Sequence, residues 1–316
     1  MDSLLLSQVA DYAADAHEQA QVLGTFVRTK TYIKEPARLL QKHPRLWPFQ
    51  GQPVLWASER LQAPLNAVNE VAMICTAGCN LDCWFCFAGG VSPHTSRRVP
   101  FDEVYDELAA TGKRVWRVSG GEPMLQASDV GKFVEYASDP GVRVFWVDTN
   151  LAVDPTPFLR ELSGRTTDDV GVCGCFKGVS DLSLKKNVRA EATMKQQFHN
   201  ARLLWDALPN VFFYVVDAVT ADVPKYAYDR LDAFRKRLAE QVGFTAPLRT
   251  CFIELHPYNL GNWKPGQAPL RGVRVNELRR EWDEVLVNRL DRYGAARRRA
   301  YEPELLWLPS HQVPKL

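Results

Sequence analysis

The chain has no apolar run approaching the ~20 residues that a membrane span needs, and no internal repeat or low-complexity segment. Its opening, Met1-Asp2-Ser3, has neither the basic start nor the long apolar run of a secretory signal. Cysteine is scarce and odd in number, seven in 316 residues, which argues against a disulfide framework. A strong charge of one sign is also missing. The formal net charge is +2, so nothing global points to nucleic acid or an anionic membrane. The short basic runs Lys185-Lys186 and Arg297-Arg298-Arg299 read as solvated surface. What remains is an ordinary globular composition, 46% hydrophobic and 24% charged, in a length that suits one large α/β domain or two small ones. A reducing cytoplasm is the expected compartment.

The scarce cysteines are clustered. Cys79, Cys83 and Cys86 stand in the run Cys-Asn-Leu-Asp-Cys-Trp-Phe-Cys, with Cys75 just upstream. Three thiolates this close can hold three irons of a cubane cluster and leave the fourth open to a small molecule. A structural zinc wants two C-x2-C knuckles separated by a longer loop, whereas this run has one x2 gap and two x3 gaps. A four-thiolate zinc site that includes Cys75 stays open as the alternative. Cys75 ends the apolar run Val71-Ala72-Met73-Ile74 and reads as a core cysteine, a small hydrophobe with no required function.

Six short apolar runs read as buried parallel strands: 71–76, 114–119, 142–148, 170–176, 211–217 and 250–256. Helix-like stretches follow them at 101–111, 127–137, 154–162, 190–208, 223–242 and 275–290. This alternation implies parallel βαβ units with right-handed crossovers. The expected fold is α/β, a partial (βα)6 TIM-like barrel with an N-terminal helical extension. The expected segments are an extension over 1–70, the barrel over 71–293 and a tail over 294–316. In the extension, 7–22 and 35–41 read as helices, and Pro44, Pro48, Gly51 and Pro53 as breakers. Chemistry in such barrels gathers at the C-terminal strand ends, and every polar motif below falls there.

The second motif, Ser119-Gly120-Gly121-Glu122-Pro123, ends the second strand. Its glycines let backbone approach a ligand closely, and Glu122 can accept from an amino group. Alone it is only a turn. The third, Asp148-Thr149-Asn150, is an Asx turn or a set of ligand contacts. In the fourth, Cys173-Gly174-Cys175-Phe176-Lys177, period-two alternation puts Cys173, Cys175 and Lys177 on one face. The fifth is His256-Pro257-Tyr258-Asn259-Leu260-Gly261. Pro and Ser in 92–98 suggest a loop carrying Arg97 and Arg98 as anion contacts.

C-x3-C-x2-C with Phe85 before its last cysteine, followed by Gly-Gly-Glu-Pro one helix and one strand later, resembles the radical S-adenosylmethionine (SAM) enzymes. The resemblance spans 71–261. It implies a [4Fe–4S] cluster on Cys79, Cys83 and Cys86, with SAM chelating the open iron. It implies SAM contacts from Phe85, Ser119, Gly120, Gly121, Glu122, Asp148, Asn150, Lys177, Tyr258 and Asn259. Lys177 would pair with the SAM carboxylate, and Cys175 would touch substrate or donate hydrogen. The later motifs are similar to those of glycyl-radical-enzyme activases, from which Leu151, Cys175 and Asn259 depart. By resemblance, a reduced cluster cleaves SAM to methionine and a 5′-deoxyadenosyl radical that takes hydrogen from substrate. An electron donor such as flavodoxin or ferredoxin is implied. Cys251 is the only cysteine after Cys175, so no auxiliary cluster is expected. The substrate readings are a small molecule or nucleoside, or a partner protein as in the activases.

Overall fold

The computed structural model describes residues 2–7, 20–22, 27–31, 52–86, 96–164, 166–217 and 227–252, with Trp282 and Val285. Six parallel strands form its centre: β4 (Glu70–Thr76), β6 (Val115–Gly120), β7 (Val144–Thr149), β8 (Val170–Phe176), β9 (Asn210–Val215) and β10 (Thr250–Phe252). They lie side by side in chain order, each parallel to the last. That single winding is the barrel pattern; a doubly wound sheet would reverse its strand order. The fold is α/β, a partial (βα)6 barrel, and the sheet is open among the described residues. No helix among them is long and apolar enough to cross a membrane.

Alternation along the strands builds two cores. Ala72, Ile74, Val118, Phe145, Val147, Val172 and Phe213 face outward, under α3 (Phe101–Ala110), α4 (Ala127–Tyr136), α7 (Met194–Ala207) and α8 (Ala227–Gln241). Val71, Val115, Val144, Trp146, Cys173, Phe212 and Tyr214 face inward. Both faces are covered, which is why these strands read as continuous apolar runs. The lower inner face is closed by α1 (Gln52–Arg60), whose Val54, Trp56 and Ala57 join the inner core. Trp56 lies 6.2 Å from the Phe212 ring. A Cβ at Gly171 would come within 2.6 Å of the Trp56 indole, so only glycine lets the plug seat fully.

Among the described residues of 1–70, the helices are α1 and the one-turn α2 (Leu65–Val68). The helix expected over 7–22 lies mostly outside the described residues, which are strand at its two ends. Ser3–Ser7 is β1, Ala20–Val22 is β2 and Val27–Thr31 is β3. The outer edge of β4 would otherwise expose unpaired N–H and C=O groups. β3 pairs antiparallel with its first part and β1 with its end. Leu4 and Leu6 are fully buried between half-buried Ser3 and Leu5, a strand alternation within an unbroken leucine run. Pro53 stands in the first turn of α1, where a missing N–H costs nothing.

A second correction concerns 96–98, the described part of the loop expected over 92–98. Ser96–Pro100 is β5, an edge strand on β1. Arg97 is paired with Glu103, and Arg98 donates to Asp129 at 2.8 Å. Those arginines are spent on the edge. The helix expected over 190–208 is α7, preceded by a separate helix, α6 (Asp181–Asn187), closed by a Ser180/Ser183 capping box. The third helical stretch is α5 (Thr156–Glu161). The sixth strand is described only through Phe252, and the tail lies outside the described residues.

Candidate active site

The cysteine loop leaves β4 at Thr76 and is stitched to the loop after β6. Gly121 donates its N–H to the Thr76 carbonyl at 2.9 Å, and Glu122 donates to the Gly78 carbonyl at 2.7 Å. Gly120 sits at φ +90°, open to glycine at little cost. A Cβ at Gly121 would collide with the Gly78 carbonyl oxygen. The double glycine is what lets two loops from neighbouring strands bond directly.

The far side of the cysteine loop rests on α6 and the segment after it. Leu81 is buried, and its carbonyl accepts from Arg189 N–H at 3.2 Å. Cys83 forms a β-bridge with Val188. The Trp84 indole donates to the Lys186 carbonyl at 3.1 Å. The Cys86 N–H closes a turn on the Cys83 carbonyl at 3.1 Å.

Three thiols are held on this short loop: Cys79 exposed, Cys83 and Cys86 half-buried. Burial pushes the Cys83 thiol up to about 12; Lys177 opposes this, while Cys86, Cys79 and Cys175 add to it. Thiols crowded around one cation in a partly dry site are poor as free thiols and good as metal ligands. Cys75 is fully buried beside Met73, with Cys86 packed against them from above. Among the described residues, no three His, Cys, Asp or Glu side chains converge on a point that would hold one metal ion.

Glu122 is 1% exposed and organises the second loop. Its Oε1 accepts from Met124 N–H at 3.0 Å and Thr149 Oγ at 2.8 Å. Its Oε2 accepts from Asn150 N–H at 2.6 Å. A carboxylate has about four acceptor positions, so one remains on Oε2. Burial pushes the Glu122 carboxyl up to about 7, against the pull of Asn150, Met124, Thr149 and Lys177. Asn150 spends its own polar groups nearby. Its Nδ2 donates to Asn80 Oδ1 at 2.7 Å and lies 3.8 Å from Cys79 Sγ.

Asp148 lies lower, on the inner face. Its Oδ2 accepts from Ser119 Oγ at 2.5 Å and from Arg117 at 2.6 and 2.9 Å. The Arg117 guanidinium sits over the Trp146 ring at 4.8 Å. Ser119 and Asp148 are thus committed to each other. Cys173 and Cys175 both face inward, as the alternation requires. Lys177 reaches back, its Nζ 3.1 Å from Cys175 Sγ. Burial works against the Lys177 ammonium, but facing Cys175, Cys83 and Cys86 outweigh it and raise its pKa.

Leu151 stands where the activases carry glycine, and it keeps a left-handed backbone at φ +63°. That costs about 1–2 kcal/mol for a residue with a Cβ. The side chain is fully buried, and a Cβ at Gly174 would come within 2.7 Å of it. Burying a leucine is worth about 1.5–3 kcal/mol, enough to offset the strain.

Of the sites expected from sequence, the structure brings Cys79, Cys83, Cys86, Glu122, Asn150, Cys175 and Lys177 together around one mouth. Phe85 is half-buried there, edge-on to Trp84 at 5.4 Å. Tyr258 and Asn259, with His256, lie outside the described residues. Arg117, Asn80 and Gln197 escaped the sequence reading, because their partners lie on elements distant in the chain.

Residues 73–216 match the family model described as the radical SAM superfamily. The chain carries a radical SAM domain over these residues. It is therefore an enzyme whose cofactors are a [4Fe–4S] cluster and SAM. An AdoMet-dependent heme synthase of Methanosarcina barkeri (strain Fusaro / DSM 804) is 34% identical over 96 residues, 29% of this chain. The chain spans only 27% of that relative's length. Among solved structures, TYW1 with a lysine-pyruvate adduct bound has a TM-score of 0.43 at 9% identity, covering 70% of this chain and 86% of its own. The radical SAM methyltransferase TsrM from Kitasatospora setae, with cobalamin and a [4Fe-4S] cluster bound, has a TM-score of 0.40 at 18% identity, covering 58% and 36%. Scores this low carry no argument beyond the family match.

Proposed function

We propose that this radical SAM enzyme binds its cluster through Cys79, Cys83 and Cys86 and acts on a small-molecule or nucleoside substrate within the barrel mouth. The observation that carries this reading is the pair of backbone bonds joining the cysteine loop to the Gly-Gly-Glu turn. Thiols and turn thereby face one space. When bound, the cluster and SAM supply a one-electron reductive cleavage that leads to hydrogen abstraction from substrate. An electron donor such as flavodoxin or ferredoxin completes the requirement.

The chain's own residues position and shield. Backbone at Ser119–Gly121 approaches the amino end of SAM, and the remaining Oε2 position of Glu122 accepts from it. Lys177 offers its ammonium to a carboxylate. Cys175, beside Lys177 on the inner face, faces substrate. Phe85 offers an apolar wall to the adenine. The plug around Trp56 closes the bottom, which keeps water from the reacting centre. A small molecule is favoured over a partner protein by two observations. The inner face below the mouth carries Arg117, Asp148, Cys175 and Lys177, a polar lining suited to a ligand inside the barrel. The M. barkeri relative is named a heme synthase, and heme is a small molecule.

The test is anaerobic reconstitution and reduction, addition of SAM, and measurement of methionine and 5′-deoxyadenosine. Slow uncoupled cleavage in wild type, lost in Cys83→Ala, supports the reading. Zinc as the bound metal, or cleavage unchanged in Cys83→Ala, contradicts it. Metabolite extracts set against candidate partner proteins then separate the two substrate classes.

A further inference from the structure

Asn150 ties the Gly-Gly-Glu turn to the cysteine loop. Its N–H donates to Glu122 Oε2 at 2.6 Å, and its carbonyl accepts from Gln197 Nε2 at 2.6 Å. Its side-chain Oδ1 accepts from Ala152 N–H at 2.8 Å. That bond fixes which end of the amide is oxygen, so Nδ2 must point the other way, toward the cysteine loop. There it meets Asn80 Oδ1 at 2.7 Å and Cys79 Sγ at 3.8 Å. Asn150 itself is 5% exposed, so this donor is held in place and shielded from water. Every polar group of the residue is in use.

We infer that Asn150 is a positioning residue for the cluster: its amide donates an N–H···S bond to the Cys79 thiolate and raises the cluster's reduction potential. This rests on the reading that Cys79 ligates iron. Reduction adds an electron to a cluster already carrying thiolate charge. A fixed N–H dipole aimed at sulfur stabilises the reduced form more than the oxidised one. The same residue holds the Glu122 carboxylate, so the turn assigned to SAM and the potential of the cluster share one anchor.

Asn150→Asp is nearly isosteric and keeps the acceptor for Ala152 while removing the donor. The expected result is full iron content with a more negative midpoint. At fixed solution potential the reduced-to-oxidised ratio falls about tenfold, ~59 mV for a one-electron couple. Asn80→Ser, which removes the rival acceptor, leaves the midpoint unchanged or higher. A direct reading needs no change at Asn150. In Asn80→Ser protein labelled with 15N at asparagine Nδ2, pulsed electron paramagnetic resonance of the reduced cluster shows a weak 15N coupling. Absence of that coupling overturns the inference whatever Asn150→Asp does, and so does an unchanged midpoint in a folded Asn150→Asp protein. Failure of the underlying reading looks different: Cys79→Ser then retains a wild-type cluster.

Discussion

The two ends of the barrel both depend on a glycine that admits a close neighbour, and they use it differently. At the bottom, Gly171 admits the Trp56 indole, a side chain that fills space. At the top, Gly121 admits the Gly78 carbonyl, a backbone group that bonds. The bottom is an apolar plug whose worth is buried area. The top is a set of committed hydrogen bonds, with Glu122 and Asn150 at its centre, whose worth is position. Changes at the bottom should therefore unfold the protein, and changes at the top should disable it while it stays folded.

Trp56→Ala should give the largest stability loss, about 3–5 kcal/mol as for other large core truncations. Protein that survives should still bind iron at the wild-type ratio. Denaturant unfolding and iron analysis read both, and a loss below about 1 kcal/mol would mean that the plug is not core.

The pH dependence of apo-protein stability comes next. A folded Glu122 value of about 7 lies above the ordinary unfolded value near 4.3. The native state therefore holds a proton that the unfolded chain has released. Stability from this group is present below about pH 4.3 and is lost as pH rises toward 7, by an amount on the order of 3 kcal/mol. Glu122→Gln should flatten that slope and abolish SAM cleavage. Unfolding curves across the window decide, and an equal slope in the variant would contradict the buried carboxyl.

Gly121→Ala should cost less stability than Trp56→Ala and more function. It forces the turn away from the cysteine loop, so SAM affinity should fall at least tenfold by titration while far-ultraviolet dichroism stays native. Leu151→Gly is the smallest. Relief of about 1–2 kcal/mol of backbone strain is outweighed by the lost buried side chain, leaving a net loss of about 2 kcal/mol. A stabilised variant would show that the leucine is tolerated rather than used.

The central sheet was legible because its strands are buried on both faces and so read as short apolar blocks. The edges were not. β1 hides its alternation in three consecutive leucines, and β5 is a run of serine and arginine whose strand state comes only from pairing with β1. α6 is too short for a periodic signal, and its capping box was its one local mark. At the site, the cysteine spacing and Gly-Gly-Glu stood out because each needs a particular residue at a particular place. Asp148 and Ser119 were read as ligand contacts because they end strands. Their bond to Arg117 depends on the register between β6 and β7. Asn150 reads in the sequence as a SAM contact; only the fold brings Cys79, Asn80 and Glu122 around it.

The most direct test of the open-iron site is Cys75→Ala compared with wild type, each anaerobically reduced, with the cluster's paramagnetic signal recorded before and after SAM. Burial of Cys75 beneath Cys86 predicts equal iron content and the same SAM-dependent change in signal. Loss of metal in Cys75→Ala, or a signal in wild type that SAM leaves unchanged, would make Cys75 the fourth ligand and close the iron to SAM.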